Sequence, residues 1–297
     1  MGKIVWISSY PKSGNTWVRA FLHNLMRDSA EAYDINRLSD LTLGDSQARW
    51  FQRLMNKPAR DYTKEELAAL RPRVHKLFTE TSPDPVFVKT HNAVMEYAGT
   101  PMITLELTAG AIYVIRNPLD VVLSHADHYG NTIDRTIEIM STTGSITAAG
   151  EHHISEVHSS WSDHVLSWTG VPNPALHVVR YEDMLDKPLG TFTGIVKFLR
   201  LPASRERIER AIKRSSFKVL QAQERRHGFV EKTAASERFF RVGKAGQWQT
   251  GLTADQVERM VAAHRQQMAR FGYFPLPDIR SRRMAPAGQE SGPESPA

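Results

Sequence analysis

The chain has 297 residues, 41% of them hydrophobic and 24% charged, and it contains no cysteine. A length of this order buries roughly three quarters of the unfolded surface, while the missing thiols exclude disulfides, thiolate metal sites and cysteine nucleophiles together. A formal charge of +6 and a pI near 9.5 favour an anionic partner, either nucleic acid or a polyphosphorylated small molecule. The basic residues are dispersed, with Arg225-Arg226 and Arg282-Arg283 the notable pairs of the second half. No basic stripe interleaved with aromatics appears, so a nucleic-acid partner is not expected.

Residues 1–7 lack both a long apolar segment and a small-residue cleavage site, and read as a first strand rather than a signal peptide. No apolar run approaches the ~20 residues of a membrane span, so a cytoplasmic location is the default expectation. Short apolar, β-branched runs at 3–8, 85–89, 111–115 and 175–179 predict buried strands. Helical patterns occupy 16–26, 64–80, 119–129, 153–168, 189–199, 205–214 and 254–271. The alternation predicts an α/β fold of three layers, α/β/α, around a central, mostly parallel sheet. No repeat or interdomain linker is evident, so one domain over 1–274 is expected. Residues 275–297, rich in Pro, Ser, Gly and charge, read as a disordered tail.

The first predicted strand runs into Ser8-Ser9-Tyr10-Pro11-Lys12-Ser13-Gly14-Asn15-Thr16-Trp17, and a helix follows. Such a strand–turn–helix junction aims backbone N–H groups at an anion, with Lys12 as a point charge and Gly14 permitting close approach. The Walker pattern needs Gly-Lys-[Ser/Thr] at the end of the loop; here the lysine comes first and no Asp-ended apolar strand serves as a Walker-B partner. A Mg²⁺-dependent kinase or NTPase is thereby disfavoured. Taken alone, the turn also fits a simple helix cap, and a non-catalytic nucleotide- or RNA-binding protein stays open at this point.

The string SYPKSGNTW resembles the 5′-phosphosulfate loop of the sulfotransferases that use 3′-phosphoadenosine 5′-phosphosulfate (PAPS) and release 3′,5′-adenosine bisphosphate (PAP). The resemblance implies that Lys12 meets the bridging oxygen. It further implies that Ser13, Gly14, Asn15 and Thr16 bind the 5′-phosphate and that Trp17 stacks near the adenine. A second segment, Arg116-Asn117-Pro118-Leu119-Asp120-Val121-Val122-Leu123-Ser124, carries a helix start signalled by Asn117 and Pro118. It resembles the family's 3′-phosphate motif, with Arg116 and Ser124 at the matching positions; an Arg116–Asp120 pair is the structural alternative. Near the C-terminus, Arg241, Gly243, Gly246 and Trp248 match the loop that closes over that phosphate, whereas Val242 and Gln247 replace Lys and Asp. Lys244 is a candidate to compensate. Tyr181, Ser215, Ser216 and Phe217 fall where relatives contact the adenine.

The predicted second strand ends in Lys89-Thr90-His91. An imidazole has an ordinary pKa near ~6.5, suited to a general base at neutral pH. The resemblance implies His91 as base, Lys89 as stabiliser of the sulfuryl oxygens and Lys12 as assistant to the leaving phosphate, with no metal. Lys12, His91, Arg116 and Tyr181 each follow one predicted strand, the end where open α/β sheets bind ligands. Other histidines, among them His125, His128, His153 and His158, form no His-Glu-x-x-His pair and give no zinc expectation. The implied acceptor is a small molecule or glycan, set by variable segments at 28–80, 92–109 and 130–156, with 130–150 a candidate mobile lid. At the positions of the animal family's dimer motif stand Gln249, Thr253, Ala254 and Glu258; two of the four depart, leaving monomer and homodimer both open.

Overall fold

The computed structural model describes residues 2–58 and 61–276; of the tail expected over 275–297, all beyond 276 lies outside the described residues. The strands are β1 (Ile4–Ser9), β2 (Thr42–Gly44), β3 (Val86–Thr90), β4 (Glu96–Tyr97), β5 (Thr100–Pro101), β6 (Thr108–Ile115) and β7 (Leu176–Arg180). The helices are α1 (Asn15–Arg27), α2 (Ala48–Gln52), α3 (Lys64–Glu80), α4 (Pro118–Tyr129), α5 (Ile133–Ser141), α6 (Trp161–Thr169), α7 (Tyr181–Asp186), α8 (Pro188–Phe198), α9 (Arg205–Arg214), α10 (Phe217–His227), α11 (Trp248–Gly251) and α12 (Ala254–Arg270). Among the described residues, no helix is long and apolar enough to cross a membrane.

The main sheet has five strands in the order β2-β3-β1-β6-β7, every pair parallel. Strands buried on both faces alternate their side chains between two cores. Ile4 and Trp6 of β1 join Val74 and Phe78 of α3 and Met260 and Met268 of α12 on one face. Val5 and Ile7 turn to the other face, against Val18, Phe21 and Leu22 of α1 and Phe192 and Ile195 of α8. Each such fully buried side chain contributes about 1.5–3 kcal/mol. β1 is thus flanked by strands added on both sides, and its C-terminal edge is a topological switch point.

The structure revises three expectations. The helix read over 153–168 begins only at Trp161, because Ser160 caps it, accepting from Asp163 N at 3.1 Å, and Ser159 before it is left-handed at φ 57°. Upstream, His153 instead bridges to Gln47 as extended chain. Strand β2 has no counterpart among the predicted strands, because three residues carry too little pattern. The stretch 130–150 holds the amphipathic α5, capped by Thr132 and burying Thr136, Ile137 and Met140, so that much of the supposed lid is packed helix.

Candidate active site

After β1 the chain turns through Lys12, whose φ of 66° is unusual for a non-glycine residue, and Gly14, at φ 110°. A Cβ on Gly14 would lie 2.8 Å from the Tyr181 ring, so the missing side chain is what lets the two segments meet. Asn15 turns inward, its Nδ2 donating to Ile7 O at 2.8 Å, and ties the turn to the strand. Among the described residues, no protein acceptor takes the backbone N–H groups of residues 12–16. They stand at the N-terminus of α1, the geometry that receives anions. Trp17 packs edge-on against Tyr181 with ring centroids 5.8 Å apart, and its Nε1 is buried without a partner.

Arg116, at the end of β6, donates to Lys12 O at 3.1 Å and Lys244 O at 3.4 Å, and its guanidinium lies 4.3 Å from the Tyr181 ring centre. Its Nε has no partner. The Arg116–Asp120 pair considered from the sequence is not formed. Asp120 accepts from Gly246 N at 2.7 Å and Trp248 N at 3.0 Å instead, and so holds the C-terminal loop against α4. Gly243, at φ 64°, would place a Cβ 2.3 Å from the Phe217 ring, the second position where only glycine allows the approach. Arg241 faces Asp127 at 3.7 Å.

These segments enclose a cavity of about 530 Å³. Lys12, Gly14, Asn15, Thr16, Trp17, Lys89, His91, Arg116, Ser124, Tyr181, Phe217, Arg241 and Gly243 all line it. Ser13 and Ser215 do not. The Ser13 side chain is buried beside the turn, and the Ser215 hydroxyl donates to Ala211 O at 2.9 Å, closing the end of α9. Lys244 is also absent from the lining, while Val242 and Gln247 are part of it, so the side chain considered as a substitute does not face the cavity. None of residues 130–150 lines it; the cover comes from 228–247.

His91 is held by Nδ1, 2.8 Å from Ser9 O. A carbonyl can only accept, so Nδ1 carries the proton and Nε2 keeps its lone pair. Burial, reinforced by Lys89, holds the imidazole well below its usual pKa and therefore neutral. Lys12 places Nζ 3.6 Å from the Phe239 ring centre, and burial lowers its ammonium to about 7 against the opposing pull of Glu231 and Asp127.

Several residues of the site gave no sequence signal because their meaning lies in long-range contacts. Asp45 is fully buried; Arg71, His75, Thr90 and Asn92 all donate to its carboxylate, the last two at 2.6 Å each. The residues on both sides of His91 are thus anchored to one acidic group. Glu231 pairs with Arg19 at 2.7 Å and Glu156 with His158 at 3.2 Å, both glutamates facing the cavity.

A parallel sheet with an anion-ready turn at its switch point, cations around it and a neutral imidazole beside it defines an α/β group-transfer enzyme of the nucleotide-binding kind. The family model for the sulfotransferase domain matches residues 3–272. Sulfotransferase 1A1 of Bos taurus is 26% identical over 271 residues, covering 89% of this chain and 82% of the relative. The amine sulfotransferase of Oryctolagus cuniculus is 22% identical over 276 residues, covering 90% and 81%. Among solved structures, retinol dehydratase in complex with androsterone and PAP superposes with a TM-score of 0.61 at 18% identity, covering 89% of this chain and 80% of that one. Mouse sulfotransferase SULT7A1 complexed with PAP gives 0.58 at 20% identity, covering 96% and 89%. The chain belongs to the sulfotransferase family, and it is a sulfotransferase.

Proposed function

We propose that this enzyme transfers the sulfuryl group of PAPS to a hydroxyl or amine of a small-molecule acceptor, releasing PAP, with His91 as general base. The observation that carries the reading is one cavity in which Lys12, Lys89 and Arg116 surround a neutral His91 whose Nε2 is free to take a proton. Unpartnered donors at Trp17 Nε1 and Arg116 Nε, with the free N–H groups of residues 12–16, fit a donor bearing phosphate at both ends of its nucleoside. Residues 12–16 receive the 5′-phosphate, Arg116 with Ser124 and Arg241 the 3′-phosphate, and Tyr181, Trp17 and Phe217 flank the base. PAPS supplies an SO₃ group on a good leaving phosphate. Lys12 and Lys89 neutralise charge as it develops on the leaving and transferring oxygens, and His91 accepts the acceptor's proton. These cations take the part Mg²⁺ plays in many phosphoryl transfers. The functional unit is a single domain ending near residue 274, and the site of action is the cytoplasm.

Donor choice tests the reading. Calorimetry should show PAP binding without Mg²⁺ and ATP binding far more weakly with or without it. Binding of ATP with Mg²⁺ in the absence of PAP binding points instead to a nucleotide kinase or NTPase and overturns the assignment.

A further inference from the structure

The cavity has two chemically different halves, ordered by the sheet. Along the C-terminal edge, β1, β6 and β7 lead into Lys12, Arg116 and Tyr181, the donor half of the reading above. That half carries the apolar surface, from Trp17, Phe217, Leu220, Phe239 and Phe240. On the other side of β1, β3 leads into His91 and β2 into Asp45, Ser46 and Gln47, with residues 152–156 bridged to Gln47. Here the lining is Asp45, Ser46, Gln47, Tyr129, His152, His153 and Glu156, with no aliphatic side chain among them, while His128, its ring 5.7 Å from Phe239, stands at the border of the two halves. An acceptor hydroxyl that reaches His91 from the side opposite the donor must lie in this polar half.

Two polar atoms of this half and its border await a partner. Ser46 is 8% exposed, and its Oγ has no hydrogen-bond partner among the described residues; neither has His128 Nδ1. Asp45 cannot serve a ligand, since four side chains already donate to it. Glu231 pairs with the Arg19 guanidinium at 2.7 Å and also faces Lys12, so two cations already answer its charge. Glu156 differs in its partner, the His158 ring at 3.2 Å rather than a guanidinium; its side chain is 14% exposed and lines the cavity near Lys89. Although burial opposes ionisation, the hydrogen bond from His158 and the charge of Lys89 keep it charged, with its pKa well below the usual carboxylate range.

We propose that Glu156 is the acceptor-selecting residue and that the acceptor is a polar hydroxyl compound carrying a protonated nitrogen, which Glu156 receives while the hydroxyl meets His91. The inference rests on the sulfotransferase reading. An anionic acceptor would be repelled by the carboxylate, and an apolar one would strip water from Glu156 and Ser46 without replacing the lost hydrogen bonds. A cationic hydrogen-bond donor satisfies both demands. The surrounding neutral histidine, His128, whose pKa burial lowers to about 3, adds no competing charge.

The test uses the full chain with PAPS and matched acceptors that differ only in tail charge: tyramine, 4-ethylphenol and 3-(4-hydroxyphenyl)propionate, with 4-amino-1-butanol, 1-pentanol and 5-hydroxypentanoate as an aliphatic set. The ammonium member of at least one set should show kcat/KM about tenfold or more above its neutral partner, and the anionic member should be the poorest. Glu156→Gln should remove that preference, lowering kcat/KM for the ammonium acceptor about tenfold more than for its neutral partner. PAP affinity of the variant, measured by calorimetry, should match the parent and report that it is folded. Neutral members equal to or better than ammonium members, a preference that survives Glu156→Gln, or no turnover of any ammonium acceptor by protein that binds PAP, each overturn the proposal. Failure to bind PAP at all sinks the donor reading instead, so the two failures are told apart.

Discussion

His91 reads as a strand-end histidine in the sequence, but its chemistry is set by Ser9, 82 positions away, whose carbonyl accepts from Nδ1–H and leaves Nε2 basic. His91→Ala should lower kcat by ~10²–10⁴-fold with PAP affinity unchanged, as loss of a general base requires. Because burial and Lys89 depress the imidazole, the acid limb of the kcat/KM profile should fall below pH 6.5; a limb at or above that value, or undiminished turnover in the variant, removes His91 from the mechanism. Asp45 makes a different kind of prediction. Burial pushes its carboxyl up, yet Arg71, His75 and Thr90 outweigh that and hold it at about 2. Asp45→Asn leaves Arg71, itself 1% exposed, without its counter-charge. Denaturant unfolding at pH 7 should record a loss of about 3–5 kcal/mol. Since the depressed pKa stabilises the fold above the unfolded value, this difference should shrink as pH falls from 3.8 toward 2.

At the scale of elements, the parts legible in the sequence are those whose cause is local. The turn before α1 announces itself because anion binding at a helix N-terminus needs a short run of donors and small residues in fixed order. Asn117 and Pro118 mark the start of α4 for an equally local reason, and the structure shows Asn117 Oδ1 accepting from Leu119 N at 3.0 Å. By contrast, β2 is three residues long, and its role is to carry Asp45 to β3, a pairing no periodicity encodes. The start of α6 lies later than the apolar spacing over 153–160 predicts, because left-handed Ser159 breaks the helical path and Ser160 caps the helix. Gly243 shows a local motif with a distant cause, since its need for glycine comes from the Phe217 ring. Gly243→Ala must displace that ring and strain a backbone at φ 64°. An expected cost of about 1–3 kcal/mol in the loop predicts PAP affinity weaker by roughly 5–150-fold, measured by calorimetry. Unchanged affinity would separate this loop from the donor site.

At the scale of the molecule, the cavity exists because the first turn of the chain and the segment after α10 meet over the sheet edge. Lys12 comes from the first turn, whereas the Phe239 ring beneath its ammonium and the nearby Glu231 belong to the segment after α10. Burial created by that meeting is the largest influence on Lys12 and brings its pKa to about 7. In the free enzyme the side chain is therefore charged below pH 7 and progressively neutral above it. A phosphate arriving beside it favours the charged form and raises the pKa again, so binding must take up a proton whenever the free lysine is neutral. PAP binding near pH 8.5 should accordingly consume close to one proton through Lys12, and the uptake should vanish near pH 6. Affinity should weaken as pH rises above 7, approaching tenfold per unit. Calorimetry in buffers of different ionisation enthalpy measures the proton count directly. Lys12→Met should abolish the uptake at pH 8.5 while its residual affinity loses most of its pH dependence. An equal proton count in parent and variant would mean that the ammonium remains outside the donor's reach, and that the meeting of the two segments buries Lys12 for packing alone.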